Sequence, residues 1–195
     1  GSELKVKTIK DAEDLANIFV TVGRFLRIDV KALIPNGNVP SGPAFGPALE
    51  AKHALEILEG RTFDNLAEKA TELSGKMLEM GGKADVGKGT AYAKKILNDG
   101  LALKKMKQII DKQGKIVDNS KDVPIGEYTL DIHAQTSGYI HNISINGCTE
   151  VAKYAGAPFN KGAGLLLHVF PNDSVSKDDI LFTIYAENKE RLAAA

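Results

Sequence analysis

Gly82, Gly87 and Lys88 stand at the spacing G-x-x-x-x-G-K, the opening of a loop whose backbone amides cradle phosphate groups. The hydroxyl that would complete such a loop falls one place late, at Thr90, because Gly89 follows the lysine. The segment also follows a helical pattern instead of a strand, so a helix–loop–helix junction is the expected reading. His53, His133, His141 and His168 show no ligand spacing, and no metal site is expected from them. Cys148 has no neighbouring cation that would favour its thiolate, and it reads as a small buried residue beginning a helix. The Gly/Pro-rich stretch 36–47 offers different chemistry. Its glycines let backbone amides approach an anion closely. Two readings fit it: a ligand loop, or a strand-to-helix connection that is merely tight.

These residues need elements to hold them. Thr8 can cap a helix to about Leu26, with Asp11 and Glu13 in its first turns and Ala12, Leu15, Ile18, Phe19, Val22 and Phe25 at helical spacing. The apolar run Val30 to Ile34, closed by Pro35-Asn36-Gly37-Asn38, predicts a parallel strand. The loop then leaves that strand's C-terminal end, where α/β sheets place their ligands. Pro47 suits the first turn of a helix that buries Ala48, Leu49, Ala51, Leu55 and Leu58 and ends at Gly60. Further helices are predicted at about 63–80, 89–98 and 101–113. Near 118–124 the period changes. Tyr128, Leu130, Ile132 and Ala134 alternate with polar neighbours, as in a strand with one buried face. The β pattern continues over 138–145, and a short helix is expected over Glu150 to Ala155. Strands follow at Leu165–Phe170 and Ile180–Ala186. The fold class expected is α+β, with domains over 1–120 and 121–195.

Lys plus Arg number 25 and Asp plus Glu number 25, so no basic surface for nucleic acid is expected. One cysteine cannot form an internal disulfide, which suits a reducing, cytoplasmic setting. No apolar run is long enough to span a membrane and no signal peptide is visible. Gly1-Ser2 reads as a cloning remnant. The strands around Ser137-Gly138-Tyr139-Ile140 and 173–181 are similar to those of biotinyl and lipoyl carriers, but the modified-lysine hairpin tip is absent.

Two segments carry a family resemblance. Ser41-Gly42-Pro43-Ala44-Phe45-Gly46-Pro47-Ala48-Leu49-Glu50-Ala51, continuing to Leu58, resembles the loop-and-helix signature of the AMP phosphorylase and thymidine phosphorylase family. Gly156-Ala157-Pro158-Phe159-Asn160-Lys161-Gly162-Ala163-Gly164, followed by 181–187, resembles that family's C-terminal domain. The resemblance runs from Leu4 onward, and its Pro-Ala-Leu-Glu-Ala form is similar to the archaeal AMP branch. It implies the helical remainder of an α/β phosphorylase domain followed by a β-rich, barrel-sandwich-like domain.

The resemblance also implies a reaction. Phosphate, a co-substrate with no other cofactor, attacks the sugar C1 while the base leaves with help from a proton donor. In the AMP branch the products are adenine and ribose 1,5-bisphosphate; in the other branch the substrate is a pyrimidine nucleoside. Substrate-binding positions carried over are Lys5, Asp29, Asn36, Gly37 and Asn38. At Asp29 the family has a lysine, and Lys31 lies two places on; Ile34-Pro35-Asn36-Gly37 stands where the family reads Ile-Thr-Asp or Ile-Thr-Tyr and then Gly. Lys161 is a weaker candidate, in what can also be a contact turn. The phosphate loop, the Ser-Ile-x-x-Lys-Lys segment and the closing all-α domain have no counterpart, and the proton-donor Asp would precede residue 1. No catalytic residue is therefore assigned. The implied protein is a C-terminal fragment whose partners are AMP or a nucleoside, phosphate and further copies of itself as a homodimer or larger homo-oligomer. A reading of another class is a non-catalytic assembly module.

Overall fold

The computed structural model describes residues 5–114 and 117–195. Gly1, Ser2 and Leu4 lie outside them. Helix α1 spans Ile9–Leu26 and opens with a capping box. The Thr8 hydroxyl accepts from the Asp11 amide at 3.1 Å, and the Asp11 carboxylate accepts from the Thr8 amide at 3.3 Å. The helix ends at Arg27, left-handed at φ 58°, and the chain doubles back. At the turn Val30 lies so close to Gly23 that an added Cβ would sit 2.5 Å from its Cγ2.

The strand expected over 30–34 does not form. The segment is extended, yet among the described residues the backbone of 29–35 bonds to no other backbone group. A strand exists only beside another strand, and nothing in the described chain comes alongside.

The next elements are β1 (Ala44–Phe45), α2 (Pro47–Leu58), α3 (Asn65–Met80), α4 (Gly89–Asn98) and α5 (Leu101–Lys112), close to the sequence expectation. A single 3-10 turn, Ser120–Asp122, leads into β2 (Tyr128–His133), β3 (Gly138–Tyr139), α6 (Ile145–Ala155), β4 (Gly164–Leu167), β5 (Ser174–Val175), β6 (Ile180–Ala186) and α7 (Lys189–Ala194). The result is an α+β fold. One antiparallel sheet has the order β1-β4-β6-β2, and β3 with β5 makes a separate two-stranded ribbon. Ala155, Ala163 and Ile184 are buried at the centre of a core walled by Ile132, Val151, Phe182 and Leu192.

Two local expectations are corrected. Helix α6 begins at Ile145, not at Glu150, because the Ser144 hydroxyl accepts from the Gly147 amide at 3.0 Å and caps it; this ends the β reading of 138–145. Leu130, expected to be buried, is 45% exposed, because β2 is an edge strand of its sheet.

Strand β1, from the first half of the chain, closes the edge of a sheet otherwise made from the second half. It pairs Ala44 with Leu166 and Phe45 with Leu165. A second tie between the halves is Glu59, which accepts from the Ser120 amide at 2.8 Å and the Ser120 hydroxyl at 2.6 Å while Arg61 holds the same carboxylate. Among the described residues, no helix is long and apolar enough to cross a membrane.

Candidate functional site

The loop Asn36–Gly42 stands between two clefts. The larger, about 850 Å³ and open, is lined by Lys5 and Lys7, by apolar residues of α1 including Leu15 and Phe19, and by Leu33 through Asn38. The smaller, about 500 Å³, lies against α2 and is lined by Gly37, Pro40, Ser41, Gly42, Glu50 and His53. Four of the five binding positions named from sequence, Lys5, Asn36, Gly37 and Asn38, therefore come together on one cleft. Asp29 does not line it. It sits at the start of the extended segment, exposed to solvent.

The loop is braced from outside itself. Lys69 Nζ donates to the Asn36 carbonyl at 3.3 Å and the Ser41 hydroxyl at 3.0 Å. Asn65 Nδ2 donates to the Pro40 carbonyl at 2.7 Å. Residues 65 and 69 stand one turn apart on α3, so one helix face holds the loop at three points. Within the loop, the Asn38 amide donates to Asn36 Oδ1 at 3.0 Å, which fixes the turn at Gly37. Asp64 does two things: its Oδ1 caps α3 at the Leu66 and Ala67 amides, and its Oδ2 accepts from His53 Nε2 at 2.7 Å. His53, buried, thus ties α2 to α3. Sequence reasoning missed Lys69, Asn65 and the His53–Asp64 tie. The i, i+4 spacing of 65 and 69 was the signal present, but nothing local says which loop they face.

A cleft lined by two lysines and a braced glycine loop, with Glu13 as its one carboxylate, suits an anion on an apolar body. Cations supply charge and loop amides supply directed donors.

The G-x-x-x-x-G-K stretch does something else. The amides of Gly87 and Gly89 point at the buried carboxylate of Glu79, at 3.0 and 3.1 Å, and Lys76 donates to its other oxygen at 3.3 Å. The Gly89 amide in first place, joined by Lys76 and the Gly87 amide, outweighs burial and holds this carboxyl below its usual range. The protein's own anion occupies the place a phosphate would take. Lys88 turns away to Asp85 at 2.8 Å. Gly89 is required for another reason: a Cβ there would lie 2.0 Å from the Gly75 carbonyl, where α3 and α4 touch. Glu79→Gln is expected to lower the thermal midpoint and to speed amide exchange at Gly87 and Gly89 about tenfold, as followed by NMR. Unchanged exchange would mean that the carboxylate does not hold the loop.

The histidines are dispersed. His133 Nδ1 lies 2.8 Å from the Asp178 carbonyl. Thr183 gives its one hydroxyl proton to Asp131 at 2.6 Å, so His168 Nε2, at 2.8 Å from that hydroxyl, is the donor to it. Among the described residues, no three His, Cys, Asp or Glu side chains converge as metal ligands would. Cys148 is half-buried in the first turn of α6.

The two segments of the family resemblance, about a hundred residues apart, lie in contact. Gly46 and Gly164 face one another across the β1–β4 pair, and the Ala48 amide donates to the Lys161 carbonyl at 3.0 Å. Glu187 holds the far side of this turn, accepting from Asn160 Nδ2 and the Gly162 amide, both at 2.8 Å. The Asn160 amide group first and the Gly162 amide second hold its carboxyl below the usual range against burial. The 161–164 stretch is thus a contact turn.

Comparison with known proteins agrees with this geometry. Residues 139–195 match the pyrimidine nucleoside phosphorylase C-terminal domain. Over its whole length the chain is 47% identical to an AMP phosphorylase of Pyrococcus furiosus, 44% to one of Methanocaldococcus jannaschii and 41% to one of Methanococcus aeolicus. In each case it spans 39% of the relative's length. With a phosphorylase C-terminal domain over residues 139–195 and a match of its own whole length to part of these proteins, the chain belongs to the AMP phosphorylase and thymidine phosphorylase family, as a C-terminal part of it.

Proposed function

We infer that this chain is the C-terminal part of a nucleotide phosphorylase that cleaves AMP with phosphate to adenine and ribose 1,5-bisphosphate, and that it furnishes one wall of the substrate pocket. The observation that carries the reading is the juxtaposition of Lys5 with the braced Asn36–Asn38 loop on a single open cleft, in a chain matched over its own whole length to part of AMP phosphorylases. In this reading Lys5 meets the nucleotide's phosphate as a point charge, and the loop orients the nucleotide by directed hydrogen bonds. The attacking phosphate, the proton donor and the closing domain come from outside these residues. The setting is cytoplasmic, and no metal or organic cofactor takes part.

Asp29, where the family has a lysine, supports a second reading: a pyrimidine nucleoside, which carries no phosphate for a lysine at that position to hold. A chimera in which this chain replaces the matching part of the Pyrococcus furiosus relative separates them. It is given phosphate and, in separate runs, AMP, CMP, thymidine and uridine, and base release is followed by chromatography. Adenine from AMP is expected. Thymine or uracil alone would select the second reading, and a folded but silent chimera would sink both. Lys5→Ala in the active chimera is expected to raise KM for AMP about tenfold with a smaller change in kcat, since it removes a charge-assisted contact of ground state and transition state alike. An unchanged KM would remove Lys5 from the pocket.

A further inference from the structure

A third cavity lies away from both clefts, among α2, α3, α4 and α5, and shares no lining residue with either of them. Its volume is about 520 Å³, within the range of about 300–1,000 Å³ usual for small-molecule sites. The floor is apolar and buried, with Ile57 from α2, Ala67 from α3 and Ala93 from α4. Thr71 adds no free polar group there, since its hydroxyl donates to the Ala67 carbonyl at 2.8 Å. Alanines at 67, 70, 93 and 102 leave room that larger side chains would fill. The rim differs from the floor. It carries Ser74, Met77 and Lys83, all exposed, and Lys83 is the one charged residue lining the cavity. The turn that ends α3 sets Lys83 in place. Gly82 is left-handed at φ 66°, and the Gly82 and Lys83 amides donate back to the Glu79 and Leu78 carbonyls at 3.1 and 2.8 Å. The neighbouring lysines are engaged: Lys69 with the 36–41 loop, Lys76 with Glu79, Lys88 with Asp85, Lys95 with Asp99, and Lys94 over the Phe63 ring. Among the described residues the Lys83 ammonium has no such partner.

We propose that this cavity binds a medium-chain carboxylate, with its tail among the alanines and its head group at Lys83 and Ser74. The buried floor admits only an apolar tail, because a polar group there would lose water and gain no partner. At the rim the charge decides the head group. An ammonium attracts a carboxylate and repels an amine, and the Ser74 hydroxyl can donate to the second carboxylate oxygen. Met77, unbranched and exposed at the mouth, can follow tails of differing length. The inference stands on the cavity and its one unpaired cation, and does not depend on which nucleotide or nucleoside the larger cleft takes.

The test titrates the 195-residue chain with decanoate, below its micellar concentration, and follows amide shifts by NMR. Saturable shifts confined to α2–α5 are expected, with a Kd of about 0.1 mM or tighter. Decylamine, the same tail with the opposite charge at neutral pH, should bind about tenfold more weakly. Lys83→Glu should reverse that order. Ala70→Phe, which fills the cavity from an exposed position, should abolish binding of both probes. Both substituted positions are exposed, so the variants keep the fold, verifiable by unchanged spectra outside α2–α5. The chimera with the Pyrococcus furiosus relative should bind decanoate as the chain does. Four results would overturn the proposal: no saturable shifts, shifts spread beyond α2–α5, a preference between the two probes that Lys83→Glu leaves unchanged, or binding by the chain that the folded chimera lacks. Base release is scored separately, so a chimera that binds decanoate without releasing base would count against the proposed reaction and not against this site.

Discussion

Gly164→Ala is expected to cost about 3 kcal/mol or more, or to prevent folding outright. A Cβ at 164 would lie 2.1 Å from the Phe45 carbonyl oxygen and 2.8 Å from Leu49 Cδ1. The first obstacle is backbone, held by the β1–β4 pairing and by the Leu167 amide donating to the Pro43 carbonyl at 2.8 Å. It cannot swing aside as a long side chain would. Overpacking of this kind costs about 1–3 kcal/mol where the surroundings yield, and more where they do not. Gly46→Ala should be comparable, since φ at 46 is +123° and a Cβ there would lie 2.3 Å from the Ala163 carbonyl. Gly138→Ala is the control, with nothing within 4 Å and an expected change below about 0.5 kcal/mol. Denaturant titration reads all three; equal midpoints for Gly164→Ala and the parent would mean that the two halves are not seamed here.

The second large effect is acid sensitivity through Glu59. Burial pushes this carboxyl up, but the Ser120 hydroxyl, the Ser120 amide and Arg61 together bring it down to about 2 from an ordinary 4.5. The folded value lies below the unfolded one, so as pH falls the unfolded chain takes up the proton first. The stability Glu59 confers is complete above about 4.5 and is lost as pH falls toward about 2. Glu79 and Glu187, both lowered, act in the same direction. Glu59→Ala leaves the Ser120 amide and hydroxyl without their acceptor and is expected to cost roughly 1–3 kcal/mol at neutral pH. The deficit should shrink as the pH falls through that window. A deficit that is constant from neutral pH to pH 2 would show that the carboxylate's charge plays no part.

The helices were legible where the code is local. Thr8 with Asp11 in its first turn, and Pro47, are start signals that act within one turn, and the structure places helix starts at each of them. The strand at 30–34 was not, because its pattern describes a pairing, and no partner strand lies beside it among the described residues. Sequence period reports a strand's willingness to be covered, not the presence of its neighbour. The Ser144 cap was missed because the β pattern reads on through 145, which leaves the serine no place as a helix start. At the cleft, Lys5 and the 36–38 loop came from resemblance, and their meeting depends on α1 folding back over the extended segment. The brace from Lys69 and Asn65 spans about thirty residues of sequence, a distance at which no local pattern tells which residues will meet.

Base release from the 195-residue chain alone, incubated with phosphate and, in separate runs, AMP, CMP, thymidine and uridine and followed by chromatography, shows whether these residues can run the reaction unaided. No free base is expected from any of them, since in the proposed reaction the groups that hold phosphate and protonate the leaving base are supplied from outside these residues. Adenine released from AMP by the chain alone would contradict it and would place a complete catalytic site within the fold described above.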